Sequence, residues 1–167
     1  RVKRLDLLEY YDSRKNILDI ERSTLFLLAE ELQKFKKEKG LKDFTDLLED
    51  FIEKSIPSSL EVLFIDEAQD LSLIQWEMVR HLWKHAKKTY IAGDDDQAIF
   101  KWAGADVDHF IALKEEVNDI KILDQSYRIP GGPIHELSQK IINKVQNRFQ
   151  KEYKPRDEIG LLKRYSD

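Results

Sequence analysis

The stretch "EVLFIDEAQDLS", Glu61 to Ser72, decides the fold. Val62 to Ile65 is a short continuous apolar run, which predicts a strand covered on both faces, as in parallel sheets. It ends on the adjacent carboxylates of Asp66 and Glu67, with Gln69 and Asp70 close behind. Ser72 followed three residues later by Gln75 is a capping box, so a helix is expected to start there. That helix is expected to bury Ile74, Met78, Val79, Leu82 and Ala86.

The same alternation continues downstream. "TYIAG" (Thr89–Gly93) predicts the next strand, Asp106 opens a short helix, and "DIKIL" (Asp119–Leu123) predicts a third strand. Pro133 sits where the first turn of a long helix should start, running to about Gln150. Strands alternating with helices predict an α/β fold with a parallel sheet and right-handed crossovers. Upstream, Leu25, Leu28, Leu32 and Phe35 recur at helical spacing, and Gly40 is placed to cap that helix. Asp43 is placed to cap a second helix carrying Phe44, Leu47, Leu48, Phe51 and Ile52, which Pro57 stops. The expected layout is a helical part over 1–57, a sheet core over 58–151, and a tail over 152–167 that leads into a strand without an evident sheet.

Composition limits the function classes. The 167 residues suit one domain or a compact lobe with an appendage. Charged residues make up 36%, above the roughly 25% of an average domain, which predicts well-solvated helices. The absence of cysteine excludes disulfides and thiolate metal sites and fits a reducing, cytoplasmic compartment. No apolar run approaches a membrane span of roughly 20 residues. The net charge of -4 argues against a strongly basic nucleic-acid module, although a local binding face can be masked in the sum. With Arg1 first and Met78 as its sole methionine, the chain is expected to be an internal piece of a longer protein.

Ligands of parallel α/β sheets bind beyond the carboxyl ends of the strands, and three polar clusters are expected there. They are Asp66, Glu67, Gln69 and Asp70; "GDDDQ" (Gly93–Gln97); and "DQSYR" (Asp124–Arg128). Each has a role to play in phosphoryl transfer, where catalysis is mostly positioning and charge stabilisation. Asp66 is a hard carboxylate suited to Mg²⁺. Glu67 can accept a proton from an attacking water. Gln97 can orient that water or touch a terminal phosphate, and Arg128 offers a guanidinium for charge developing on phosphoryl oxygens. Tyr127 can stack on a base ring.

Other features have plainer readings. Trp76 and Trp83 fit core packing on one helix face. His81 and His85 have metal-like spacing but no third ligand nearby, and read as surface residues. Lys140, Lys144, Arg148 and Lys151 read as a solvated stripe, with phosphate contact as the alternative. Asp94, Asp95 and Asp96 are expected to satisfy backbone donors in a tight turn or to lie near a nucleotide.

"VLFIDEAQD", "AGDDDQAIFKWAGAD" and "LDQSYRIP" together resemble the Walker B motif and the next two motifs of UvrD/Rep-type superfamily I DNA helicases, in the same order. "GLKDFTDLL" (Gly40–Leu48) resembles a segment those helicases carry before the Walker B strand. The resemblance spans about Gly40 to Phe149. It implies the later half of a RecA-like P-loop NTPase lobe with an N-terminal helical subdomain, acting on ATP and Mg²⁺. By the same resemblance Asp66 binds magnesium, Glu67 is the catalytic base, Gln97 senses phosphate and Arg128 contacts the γ-phosphate. Tyr127, Gln69 and Asp70 join Asp66 on the nucleotide side. Trp102 and Phe100 are assigned to single-stranded DNA, for which aromatic rings are sequence-independent platforms. Phe100, Ala103 and Ser126 stand where the family usually carries tyrosine, arginine and asparagine.

The implied whole is an ATP-dependent helicase that translocates 3′-to-5′ on single-stranded DNA and unwinds duplex. The 167 residues contain no G-x-x-x-x-G-K-[ST] phosphate loop, so the segment is expected to be inactive alone. Expected partners are single-stranded and duplex DNA, the rest of the helicase chain, and a second copy of the segment through exposed sheet; no membrane is expected. The sequence leaves two alternatives: a non-catalytic DNA- or protein-binding module that retains motor motifs, and the motor part of a helicase-nuclease.

Overall fold

A computed structural model describes residues 11–12, 20–55, 58–163 and 165. Within it the chain divides into two compact units. One comprises residues up to 93 together with 99–106; the other comprises 94–98 and residues from 107 onward. No helix among the described residues is long and apolar enough to cross a membrane.

The first unit begins with α1 (Arg22–Lys39) and α2 (Phe44–Lys54). Gly40 ends α1 in the left-handed region (φ 62°), which costs glycine no Cβ clash. Asp43 then forms a capping box with Asp46: each carboxylate accepts from the other's backbone N–H at 2.9 Å. The Lys36 ammonium, nearly enclosed, pairs with both carboxylates and fixes the turn between the helices. The Asp46 amide and then Lys36 hold Asp43 below its ordinary carboxylate range. Pro57 lies outside the described residues.

β1 (Leu60–Ile65) and β2 (Ala86–Ile91) pair in parallel, and α3 (Leu73–Trp83) joins them and packs on both. The expected Ser72–Gln75 capping box is present, with the Gln75 Oε1 accepting from the Ser72 N–H at 2.8 Å. The core of this unit gathers on α3 and the turn before it: Ala68, Ile74, Trp76 and Val79 are buried, while Met78 and Leu82 are half-buried. Ala86 belongs to β2, not to the helix. The strand expected to be covered on both faces is covered on one. Val62 and Phe64 are exposed, and the Phe64 ring stacks on Tyr90 with centroids 5.1 Å apart, because among the described residues the sheet has two strands and one helix layer on them.

In the second unit, α4 (Val107–Ala112) follows Asp106 as expected. The third strand is displaced: "DIKIL" is not extended sheet, and β3 runs Gln125–Gly131. The reason is pairing. Ile120, Ile122 and Leu123 have no partner strand among the described residues and are exposed, whereas β3 pairs in parallel with β4 (Lys154–Ile159). The tail strand therefore has its sheet. The approach is close: a Cβ on Gly160 would meet Ile134 Cδ1 at 2.5 Å and Pro130 Cγ at 2.7 Å, so any side chain there forces its neighbours to shift. α5 (Pro133–Ile142) carries proline in its first turn but ends well before Gln150.

Candidate nucleotide and DNA site

In the first unit the site starts where β1 stops. The ladder continues past the strand, with Ala92 N–H donating to Ile65 O at 2.8 Å and Ala68 N–H donating to Ala92 O at 3.0 Å. Between these ties the chain must turn sharply, and Glu67 takes a left-handed conformation (φ 50°, ψ 41°). It is the one non-glycine residue with positive φ among the described residues. Such a backbone is unfavourable for a residue with a Cβ and marks a position where geometry outranks comfort. The turn leaves the Asp66 and Glu67 carboxylates exposed side by side. Asp66 Oδ1 accepts from the Glu67 N–H at 2.9 Å. Gln69, 1% exposed, donates its amide N–H to Glu67 Oε2 at 2.9 Å and so orients that carboxylate from below.

The donor set suits magnesium: Asp66 is an exposed hard oxygen ligand at a strand end, and exposure leaves room for the waters and phosphate oxygens that Mg²⁺ retains. Asp70 closes the same turn. Its Oδ1 is buried and receives no hydrogen bond from the described residues. Buried acceptors are nearly always satisfied, and a carboxylate oxygen with no donor among the described residues is compatible with a cation held at this turn.

The same unit carries the aromatic loop. A 3-10 turn, Lys101–Ala103, closes on Gly104 (φ 110°), and Ala105 N–H donates to Phe100 O at 3.2 Å. The loop is tied to the carboxylate turn: Ser72 and Ala105 form an antiparallel bridge, and Asp106 N–H donates to Leu71 O at 2.9 Å. Trp102 is 76% exposed, which removes it from the core and leaves its face available; Phe100 is exposed beside it, with ring centroids 6.4 Å apart.

Gln97, Tyr127 and Arg128 belong to the second unit. Gln97 ends a 3-10 turn, Asp95–Gln97, whose preceding residue Asp94 accepts from the Gln97 amide at 2.6 Å. Tyr127 and Arg128 lie on β3, both exposed. The "DQSYR" cluster thus starts a strand instead of following one, because the strand itself is shifted downstream.

The aspartate turn is held by residues that spacing had assigned to a solvated helical stripe. Arg148 grips Asp96 with two nitrogens at 2.7 and 2.6 Å, and its side chain is 3% exposed. Lys151 pairs with Asp94 at 2.9 Å and also with Asp95, and Tyr153 OH donates to Asp94 Oδ1 at 2.9 Å. Asp96 N–H donates to Asp94 Oδ1 at 3.2 Å, the tight-turn role expected for this triplet, whereas Phe149 N–H reaches Asp95 Oδ2 at 2.7 Å from far along the chain. Burial would raise the Asp94 carboxyl, but hydrogen bonds from Gln97, Lys151 and Tyr153 outweigh it and hold it below its ordinary value. Burial works against the Lys151 charge, and the Asp95 and Asp94 carboxylates reverse that, holding the ammonium above its ordinary value. The opposite charges of "DDD" and "NRFQK" were the available signal for this pairing. His85 is exposed as expected, but His81 is half-buried and meets Ser55 O at 3.0 Å, a structural contact rather than a free surface position.

A family model for the UvrD/REP helicase N-terminal domain matches residues 5–118, which includes the carboxylate turn, Gln97 and the aromatic loop but stops before Tyr127 and Arg128. Among similar proteins, the ATP-dependent DNA helicase Rep of Buchnera aphidicola subsp. Baizongia pistaciae is 30% identical over 55% of this chain and 14% of its own length. A probable DNA helicase II homolog of Rickettsia conorii is 33% identical over 75% of this chain and 21% of its own. The RecBCD enzyme subunit RecB of Buchnera aphidicola subsp. Acyrthosiphon pisum is 32% identical over 70% of this chain and 11% of its own. The chain thus spans about a fifth or less of each of these relatives. With well over half of its residues matched, the chain belongs to the UvrD/REP helicase N-terminal domain family.

Proposed function

We propose that this chain is the water-activating part of an ATP-dependent DNA helicase that moves 3′-to-5′ on single-stranded DNA in the cytoplasm. The observation that carries the reading is the Asp66–Glu67 turn, where a strained backbone and a buried Gln69 present two adjacent carboxylates. Magnesium bound with ATP would neutralise phosphate charge there. Asp66 would supply its protein ligand. Glu67, held by Gln69, takes the proton of the attacking water. Gln97 lines up water or terminal phosphate, Arg128 meets the developing phosphoryl charge, and Tyr127 stacks on adenine. Trp102 and Phe100 form the platform for unpaired bases, each stacked base worth roughly 1–3 kcal/mol. Because the loop bearing these rings is bonded to Leu71 and Ser72, base stacking and the carboxylate turn share one support. In domain terms, 1–57 is the helical insertion, 58–151 the partial motor core and 152–167 the start of the next domain. The phosphate loop comes from outside these residues, so the segment alone does not turn over ATP.

Phosphate release with and without single-stranded DNA tests this on the full helicase chain and on the isolated segment. The full chain should hydrolyse ATP with DNA stimulation, Glu67→Gln should cut turnover by about a hundredfold or more, and Trp102→Ala should raise the DNA concentration needed. A full chain indifferent to Glu67→Gln would remove the base assignment, and turnover by the segment alone would refute its inactivity.

A further inference from the structure

Asp94 stands at the junction of two sets of contacts. One carboxylate oxygen, Oδ2, accepts from the Gln97 amide at 2.6 Å. The other, Oδ1, accepts from Tyr153 OH at 2.9 Å and meets the Lys151 ammonium at 2.9 Å. The side chains behind it are enclosed: Asp95 is 2% exposed, and Asp96 and Lys151 are each 8% exposed. Three adjacent carboxylates repel one another, and Arg148 and Lys151 supply the positive charges that let them lie together.

The chemistry of the contact matters as much as its length. An ionised carboxylate only accepts hydrogen bonds, whereas a glutamine amide presents donors at one end and an acceptor at the other. Asp94 therefore admits one orientation of Gln97, with NH₂ toward the carboxylate and the carbonyl oxygen turned away. A glutamine that lines up an attacking water needs its carbonyl oxygen presented to that water's O–H. An amide free to flip would present the wrong end part of the time.

We propose that Asp94, anchored by Lys151 and Tyr153, is a positioning residue that fixes the amide orientation of Gln97 for the hydrolytic step. This rests on the reading that Gln97 faces water or terminal phosphate. It makes the segment Arg148–Tyr153 part of the hydrolytic apparatus without touching nucleotide. The direction in which Asp94 titrates agrees: its neighbours favour the ionised, accept-only form.

The test is a double-mutant cycle on DNA-stimulated ATP hydrolysis by the full helicase chain, comparing Asp94→Asn, Tyr153→Phe and Gln97→Ala with the two pairs that contain Gln97→Ala. Asp94→Asn keeps the shape but ends the selection of one amide end. It should lower kcat about tenfold while KM for ATP stays within about threefold. Tyr153→Phe loses one hydroxyl without opening a cavity and should give a smaller loss in the same direction. In the Gln97→Ala background both effects should shrink below about twofold, because the residue they position is gone. Losses that multiply in full in that background would overturn the proposal while leaving Gln97 in its role. A Gln97→Ala chain with unchanged kcat would instead overturn the underlying reading of Gln97. Should Asp94→Asn fail to fold, the Tyr153→Phe cycle decides by the same criterion.

Discussion

Glu67 shows how a single position can trade stability for geometry. Its left-handed backbone places a Cβ where L-residues are disfavoured by roughly 1–2 kcal/mol. The cost is separable from the side-chain contacts by comparing two truncations that both lack the carboxylate. Glu67→Gly should be about 1 kcal/mol more stable than Glu67→Ala, the reverse of the order in a helix interior. Both leave Gln69 without its acceptor, so that loss cancels in the comparison. Urea denaturation of the two variants measures the difference, and an alanine variant at least as stable as the glycine one would remove the strain argument. Sequence alone identified Glu67 as half of a carboxylate pair; the left-handed turn was not legible, because Asp-Glu-Ala carries no glycine or asparagine to announce positive φ. Gln69 was legible only as a polar neighbour. Its burial depends on tertiary packing, which no local pattern encodes.

Among the elements, those fixed by local chemistry were readable and those fixed by distant partners were not. The Asp43 and Ser72 caps sit within three residues of the groups they satisfy, and both helix starts were found. β3 was misplaced because its partner lies some thirty residues away, and an apolar run such as "DIKIL" gives no register. The predicted length of α5 failed for a related reason. Arg148 and Phe149 bond to Asp96 and Asp95 more than fifty positions earlier, and these contacts compete with continuing the helix. Removing one partner of an enclosed ion pair leaves the other charged and desolvated, so Arg148→Ala should destabilise the chain by about 3–5 kcal/mol in urea denaturation. A loss below about 1 kcal/mol would mean the pair is solvated. The same cluster sets a pH dependence. Asp94 titrates lower folded than unfolded, so its contribution is complete above the ordinary 3.8 and is lost as pH falls through its depressed folded value. The stability gap between the wild type and Asp94→Asn should therefore narrow as pH is lowered below 3.8. A gap independent of pH would sink this assignment. Lys151 works in the opposite sense: its raised value keeps its contribution complete below 10.5, to be lost only as pH climbs through the elevated folded value.

For the molecule as a whole, the sheet makes its own prediction. Among the described residues β1 and β2 form a two-stranded parallel sheet, which leaves each strand with one unpaired row of N–H and C=O groups, and such edges recruit further strands. One face of this sheet is also apolar and open: Phe64 is 74% and Tyr90 54% exposed, with Val62 beside them. The α/β class was readable from the strand–helix alternation, but the extent of the sheet was not, because the apolar run looks the same whether one face or both are covered. Burying a large aromatic side chain is worth roughly 1.5–3 kcal/mol, and with nothing among the described residues covering this face a second molecule can supply that gain. The 19.8 kDa segment should therefore associate with itself as concentration rises. Light scattering behind size exclusion should show the apparent mass climbing over roughly the micromolar to hundred-micromolar range, where exposed apolar sheet drives association. Phe64→Lys should reverse this, because a lysine at the centre of the open face places an unpaired charge in any interface formed there. A segment that stays monomeric across the range, or a Phe64→Lys variant that associates as readily as the parent, would show that this sheet face is not what brings copies together.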